Sequence, residues 1–427
     1  MWPTTARFDN GRLVIGGLDV VTLAARFGTP LYVIDEDDFR ARCRRWRAAF
    51  ADADVYYAGK AFLCVEVARW LASEGLSLDV CTGGELAVAE RAGFPGERLL
   101  FHGNNKSVAE LRRAVGYGVG RIVLDSFTEI ERLARVAAEA GVRQPVLVRV
   151  TPGVEASAHD YVATGVEDQK FGFSLAAGAA ATAIRKVLAT SALELRGLHV
   201  HIGSQIFGTD GFVLAARRMV GLLAAVRAER GVELAELDLG GGMGIAYTSR
   251  EAPLSPAEVA AALRGAVAQE CAAAGLPEPR IAVEPGRAIS GPAGVAVYEV
   301  GTVKELPGLR TYVSVDGGIS DNVRAALYGA RYTVVLASRR SSAPSRSVTV
   351  CGKHCEAGDI LARDVELPAD LCPGDLVAVP ASGAYHRSMA NNYNQVPRPP
   401  VVAVAAGAAR VLLRRETEGD LLRLDAG

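Results

Sequence analysis

Lysine is scarce in this chain: six lysines stand against a large excess of arginine. A lysine in a structured position therefore asks for a reason. No apolar run reaches the roughly 18 to 20 residues that a membrane span needs, although 50% of the residues are hydrophobic. The opening "MWPTTARFDNGR" holds no apolar signal segment, which leads us to expect a cytoplasmic protein. Net charge is only −1 and the basic residues are dispersed, so neither nucleic acid nor a membrane is an expected partner. There is no CxxC pair, and the seven cysteines are an odd number. Free thiols in a reducing compartment fit this better than a disulfide framework.

What is present is rhythm. The 427 residues exceed one ordinary domain, so two are expected. Strand-like apolar runs recur at 55–58, 76–80, 99–102, 121–125, 145–150, 195–202, 237–240 and 281–284. Helical stretches separate many of them, at 63–74, 84–92, 108–115, 128–140, 212–230 and 256–274. Eight strand-plus-connection units in about 230 residues predict an α/β fold, a (β/α)8 TIM barrel. An open doubly wound sheet fits less well, because eight unbroken units close more naturally. After Pro292 the pattern changes to strand-like runs such as "GVAVYEVGTV", "RTYVSV", "RYTVVLA", "SVTVCG", "DLVAVP" and "VVAVAA", with "SRRSSAPSRS" as an exposed loop. This predicts a mostly β, sandwich- or barrel-like second domain at 291–427, joined by the N-terminal segment 1–35 through its strand "LYVID". The barrel then occupies 36–290.

Barrel chemistry gathers at the C-terminal strand ends, and the unusual residues fall there. Lys60 follows the first strand in "VYYAGKAF", then come "DVCTGGEL", "FHGNNKS", Asp125, Arg149, His201, "LDLGGGMGIAY" and "VEPGR". A lysine ending a buried strand either reaches water or has its amine used covalently. The glycines at 240–242 suit a close backbone approach to an anion at the usual barrel phosphate position. Ile245 breaks the G-x-G-x-x-G pattern, so a dinucleotide fingerprint is not expected. A phosphate site and a strand-end lysine across one mouth point to pyridoxal phosphate. That cofactor also needs an acid facing its pyridine nitrogen, for which Glu284 is placed, and a flat group against its ring, for which His201 is placed. The "HVH" spacing of His199 and His201 invites a metal reading too, yet only His354 and His386 follow, and no metal is expected.

These residues sit in motifs that resemble the diaminopimelate decarboxylase family, closest to its actinobacterial branch. The motifs are "YYAGKAF", "DVCTGGEL", "FHGNNKS", "EDQKFGF", "GLHVHIGSQI", "LDLGGGMGI", "EPGRAI", "VDGGISDNVRAALYGA", "GKHCEAGDI" and "GAYHRSMANNYN". Together they span nearly the whole chain. The resemblance implies a pyridoxal-phosphate-dependent lyase that converts meso-2,6-diaminopimelate to L-lysine and carbon dioxide. It implies a homodimer whose active sites are shared across the interface. By position, Lys60 would hold the cofactor covalently and His201 would stack on its ring. Gly241, Gly242, Glu284, Gly286 and Arg287 would bind its phosphate and pyridine nitrogen, with Tyr385 in contact as well. Arg287, Arg324 and Tyr328 would hold the substrate's far carboxylate, Tyr385 would line the same site, and Glu356 would hold the far ammonium. Cys355, from the other subunit, would deliver a proton. The connection carrying "EDQKFGF" is expected to close over the site.

Each residue also has a plainer reading: a small buried hydrophobe for Cys355, a solvent-facing helix turn for Arg324 and Tyr328, an ordinary β-domain aromatic for Tyr385. Phe62 stands where many relatives have asparagine, and Ala357 where serine or threonine is common. The rival functions are a decarboxylase of another basic or carboxylated amino acid, an amino-acid racemase, or a cofactor-binding relative without catalysis.

Overall fold

The computed structural model describes residues 1–154 and 168–427. The chain divides into two compact units: Cys43–Gly244 with Pro253–Gly286, and Met1–Arg42 with Ile245–Ala252 and Arg287–Gly427.

The first unit is the expected closed parallel barrel. Its strands are Asp54–Ala58, Ser77–Val80, Leu99–Phe101, Arg121–Leu124, Gln144–Thr151, Leu193–Val200, Glu236–Asp238 and Arg280–Val283. Each pairs with the next, and Val283 meets Val55 to close the ring. Period-two alternation sends Tyr56, Leu100, Val123, Leu147 and Ala282 to one interior cluster drawn from five strands. That layer is a packed core, so truncating Leu147 to alanine would cost about 2–5 kcal/mol.

The helices between strands begin where the sequence supplies a cap. Ser107 and Ser255 each close a reciprocal capping box, with Glu110 and Glu258 respectively. Thr82 and Ser126 cap their helices through the side-chain oxygen. Within the barrel unit the structure adds to the sequence reading a helix at Ala179–Leu188 and a two-residue strand, Phe173–Ser174, that pairs with Val150 and Thr151. The helix's apolar residues Ala180, Ala183, Ile184 and Val187 fall at helical spacing, but no side-chain cap marks its start.

The second unit is built on a sheet. Gly294–Leu306 is its spine, pairing antiparallel with Arg310–Val315, with Leu376–Pro380 and with Leu31–Asp35. Leu31–Asp35 in turn pairs parallel with Val401–Ala405, so the N-terminal strand does belong to this sheet. Leu31, Val33, Val295, Val297, Ala378, Val402 and Val404 share one face and pack with Leu13 and Ile15 of an N-terminal hairpin. "RYTVVLA" yields only the short strand Val335–Leu336, and the end of "SRRSSAPSRS" enters the strand Ser345–Cys351.

Among the described residues, no helix is long and apolar enough to cross a membrane.

Candidate active site

In the barrel unit, Lys60 lies in the tight turn Gly59–Ala61 directly after the first strand. Tyr57 fixes the turn by donating its hydroxyl to the Phe62 carbonyl at 2.8 Å. Lys60 is exposed, and its charge is felt by Asp79, His199 and His201. Its surroundings are therefore polar. The other mouth lysine, Lys106, is buried and fully engaged, donating to the carbonyls of Gly103 and Val123 at 2.7 Å and to Glu129 at 2.5 Å. Lys106 is thus committed to a structural role at the rim.

Glu284 follows the eighth strand and is buried. Its Oε1 lies 2.6 Å from His102 Nε2 and 3.2 Å from His199 Nε2. Burial alone would raise its pKa, but the two imidazoles hold it well below the usual carboxylate range. His102 is pushed down to about 3, by burial against the opposing pull of Glu284, and so is neutral. Burial and the neighbouring Glu284 charge raise Asp79 and Asp238 well above the ordinary range. The same mouth thus pulls Glu284 down and pushes Asp79 and Asp238 up.

His102 Nε2, His199 Nε2 and Glu284 Oε1 also lie within metal-ligand reach of one another. The 2.6 Å separation is a hydrogen bond, shorter than two atoms ligating one ion at about 2 Å would allow.

His201 is half-buried just beyond the sixth strand, and its Nδ1 accepts the Gly241 N–H at 3.2 Å. Burial first, and then the Lys60 charge, push its pKa well below the ordinary value, leaving a neutral ring with its hydrogen on Nε2. Asp238 Oδ1 accepts the Gly240 N–H at 2.8 Å and so shapes the start of the glycine turn. A Cβ on Gly241 would overlap the Glu284 carbonyl oxygen, and one on Gly242, at φ +105°, would overlap that of Gly203. Gly286 is equally tight, with a Cβ falling 2.8 Å from that of Ala58. An ionised acid, a neutral flat ring, an exposed lysine and a side-chain-free cradle are the parts that pyridoxal phosphate requires, so the residues fit that group.

The second unit holds a different cluster. Arg287 donates to the Tyr247 hydroxyl at 2.6 Å, and its guanidinium lies 4.5 Å from the Tyr385 ring centroid. Tyr385 adopts φ +60°, a strained value for an aromatic residue. Arg324 is 5% exposed. It donates to the Tyr332 hydroxyl at 2.5 Å and lies over the rings of Tyr247 (4.9 Å) and Tyr328 (6.0 Å). The face shared by Arg324 and Tyr328 is therefore not a solvent face. Tyr332 also meets His386 Nε2 at 3.0 Å. Burial raises the Tyr332 pKa and lowers that of His386, so a protonated phenol accepts from Arg324 and donates to a neutral imidazole.

Cys355 and Glu356 are exposed, on a turn that Asp359 organises by accepting from the backbone and side chain of His354 at 2.8 Å.

The family described as "Pyridoxal-dependent decarboxylase, pyridoxal binding domain" matches residues 36–291. The chain is 58% identical to a diaminopimelate decarboxylase of Mycobacterium tuberculosis, over 100% of this chain and 97% of that one. This chain belongs to the diaminopimelate decarboxylases. It is 54% identical to the diaminopimelate decarboxylase of Actinosynnema pretiosum, over 99% of this chain and 94% of that one. The crystal structure of diaminopimelate decarboxylase from M. jannaschii in complex with L-lysine superposes with a TM-score of 0.93 at 31% identity, covering 100% of this chain and 99% of that one. Like its family, the enzyme is a decarboxylase that uses pyridoxal phosphate.

Sequence reasoning passed over His102, Asp79 and Asp238 as site residues, along with Tyr247, Tyr332 and His386. The first three stood inside strand-end motifs, and that position was the available signal. Tyr247 also ends one of those motifs, but Tyr332 and the pairing of either ring with a distant arginine carried no local signal. The closure expected of "EDQKFGF" concerns a segment that begins, at Glu167, outside the described residues. Within them, Gly172 donates to Asp125 at 2.9 Å and Phe171 lies under Arg149 at 4.4 Å.

Proposed function

We propose that this decarboxylase acts on meso-2,6-diaminopimelate in the cytoplasm, releasing carbon dioxide and L-lysine, with the residue roles that follow. Arg324 carries the choice of substrate. It is a buried cation bonded to a neutral phenol and surrounded by tyrosine rings. A buried charge without a counter-charge is costly, and a substrate with a second carboxylate supplies one. Ornithine or arginine would leave that charge unmatched.

Bound pyridoxal phosphate supplies an electron sink for the pair left when carbon dioxide departs. The chain supplies everything else. The Lys60 amine tethers the cofactor, and ionised Glu284 keeps a proton on the pyridine nitrogen. That full electron sink speaks against a racemase, which would suffer side reactions. The neutral ring of His201 would stack on the cofactor. The backbones of Gly241, Gly242 and Gly286, with Arg287, receive the phosphate, and Tyr385 lies against the same group. Arg287, Arg324 and Tyr328 hold the far carboxylate, with Tyr385 beside it, and Glu356 the far ammonium. Cys355 delivers the proton to the carbon that has lost carbon dioxide.

The exposure of Cys355 and Glu356 supports a homodimer in which each copy lends this turn to the other. Purified enzyme given meso-diaminopimelate, ornithine and arginine in turn should release carbon dioxide from the first alone. Release only from ornithine or arginine would overturn the substrate. Mixing inactive Lys60→Ala and Cys355→Ala chains should restore about a quarter of wild-type activity, because one site of each mixed dimer is then intact. No recovery after mixing would argue against shared sites.

A further inference from the structure

A carboxylate that must pair with a protonated ring nitrogen cannot first be neutralised by a cation of the protein. It still has to be held. Glu284 Oε1 sits 2.6 Å from His102 Nε2 and 3.2 Å from His199 Nε2, and the two imidazoles meet edge to face at 4.6 Å between centroids. All three side chains are buried, at 4%, 7% and 0% exposure for Glu284, His102 and His199. His102 is 182 residues from Glu284 in sequence, and its backbone N–H is tied to the Val80 carbonyl at 2.8 Å, so its ring is presented from a fixed strand end. An arginine or lysine here would form an ion pair and discharge the acid. A neutral imidazole N–H donates a hydrogen bond and leaves the negative charge in place.

We propose that His102 and His199 are positioning residues that act through Glu284. His102 donates its Nε2–H to Oε1, His199 stands beside the same oxygen, and together they keep the carboxylate ionised and aimed at the pyridine nitrogen without cancelling its charge. The inference rests on the reading that Glu284 faces that nitrogen. It predicts that removing the donors weakens only the part of cofactor binding that involves the nitrogen.

The test compares two ligands. Full-length protein stripped of cofactor is titrated with pyridoxal phosphate and with its 1-deaza analogue, in which carbon replaces the ring nitrogen. Wild type should prefer pyridoxal phosphate. In His102→Phe, which keeps a flat ring but loses the donor, that preference should fall by about tenfold or more. Affinity for the deaza analogue should stay within about threefold. His199→Phe should lower the preference less, and His102→Gln, which retains an N–H donor, should restore much of it. His102→Asn, too short to reach Oε1, should behave like the phenylalanine variant and serves in its place if that variant does not fold. An unchanged preference, or an equal loss for both ligands, would overturn the proposal. If wild type itself showed no preference, Glu284 would not face the nitrogen, and the reading beneath the proposal would fail with it.

Discussion

The two units solve opposite electrostatic problems. The barrel mouth holds the negative charge of Glu284 with neutral imidazoles, while burial drives the pKa values of Asp79 and Asp238 upward. The β unit keeps positive charge alive, with Arg287 and Arg324 held by the phenols of Tyr247 and Tyr332. In both, the charge that a ligand needs is gripped by uncharged groups. A salt bridge inside either cluster would be stronger locally and useless to the ligand.

The largest break in that comparison comes from the barrel side. Lys60→Ala should abolish the yellow absorbance of bound cofactor and lower the rate of carbon dioxide release by on the order of a thousandfold or more. Unchanged colour would assign the tether to another lysine.

From the β side, Arg324→Met should lower kcat/KM for meso-diaminopimelate by about 10- to 100-fold while the cofactor absorbance persists. A variant that instead lost its colour would show that this arginine serves the barrel's ligand. Such a result would erase the division of labour drawn above.

A smaller effect lies in pH dependence. Asp321, in the β unit, is pushed up to about 7 by burial, against hydrogen bonds from Tyr298 and Gly318. Between about pH 4 and 7 the folded protein holds a proton that the unfolded chain has released. Its contribution to stability therefore falls as pH rises through that window and is flat above it. Glu284 has the opposite sign: its depressed value contributes stability at neutral pH that is lost as pH falls through its folded pKa. Asp321→Asn should flatten the decline of Tm between pH 5 and 8 by a few degrees, corresponding to about 2–3 kcal/mol in this window. Equal slopes in the two proteins, measured by thermal denaturation, would remove Asp321 from the account.

Least of all should follow from Ala357→Ser, which adds a hydroxyl at an exposed position. A change in kcat/KM below about threefold is expected, and a larger one would mean that this turn contacts substrate more closely than its neighbours suggest.

The barrel was legible because its signals are local. Apolar alternation, strand length and helix caps are written within a few residues of where they act, so all eight strands and most of their helices could be read in order. Lys60 and the glycines at 240–242 were legible for the same reason, since a strand end and a tight turn constrain their own residues. Assembling the motifs into one mouth required only the rule that a barrel gathers its strand ends.

Partnership was decided by the tertiary structure. Nothing near Glu284 announces that His102 will hold it, and nothing near Arg287 announces Tyr247, 40 residues away. Hydrogen bonds form between atoms that the fold brings within 3 Å, and sequence distance carries no record of that. Protonation followed from the same source: whether a histidine is neutral or a carboxyl keeps its proton depends on burial and on neighbouring charge, both properties of the folded chain. The sequence by itself determined which side chains are available; the fold decided which of them remain charged.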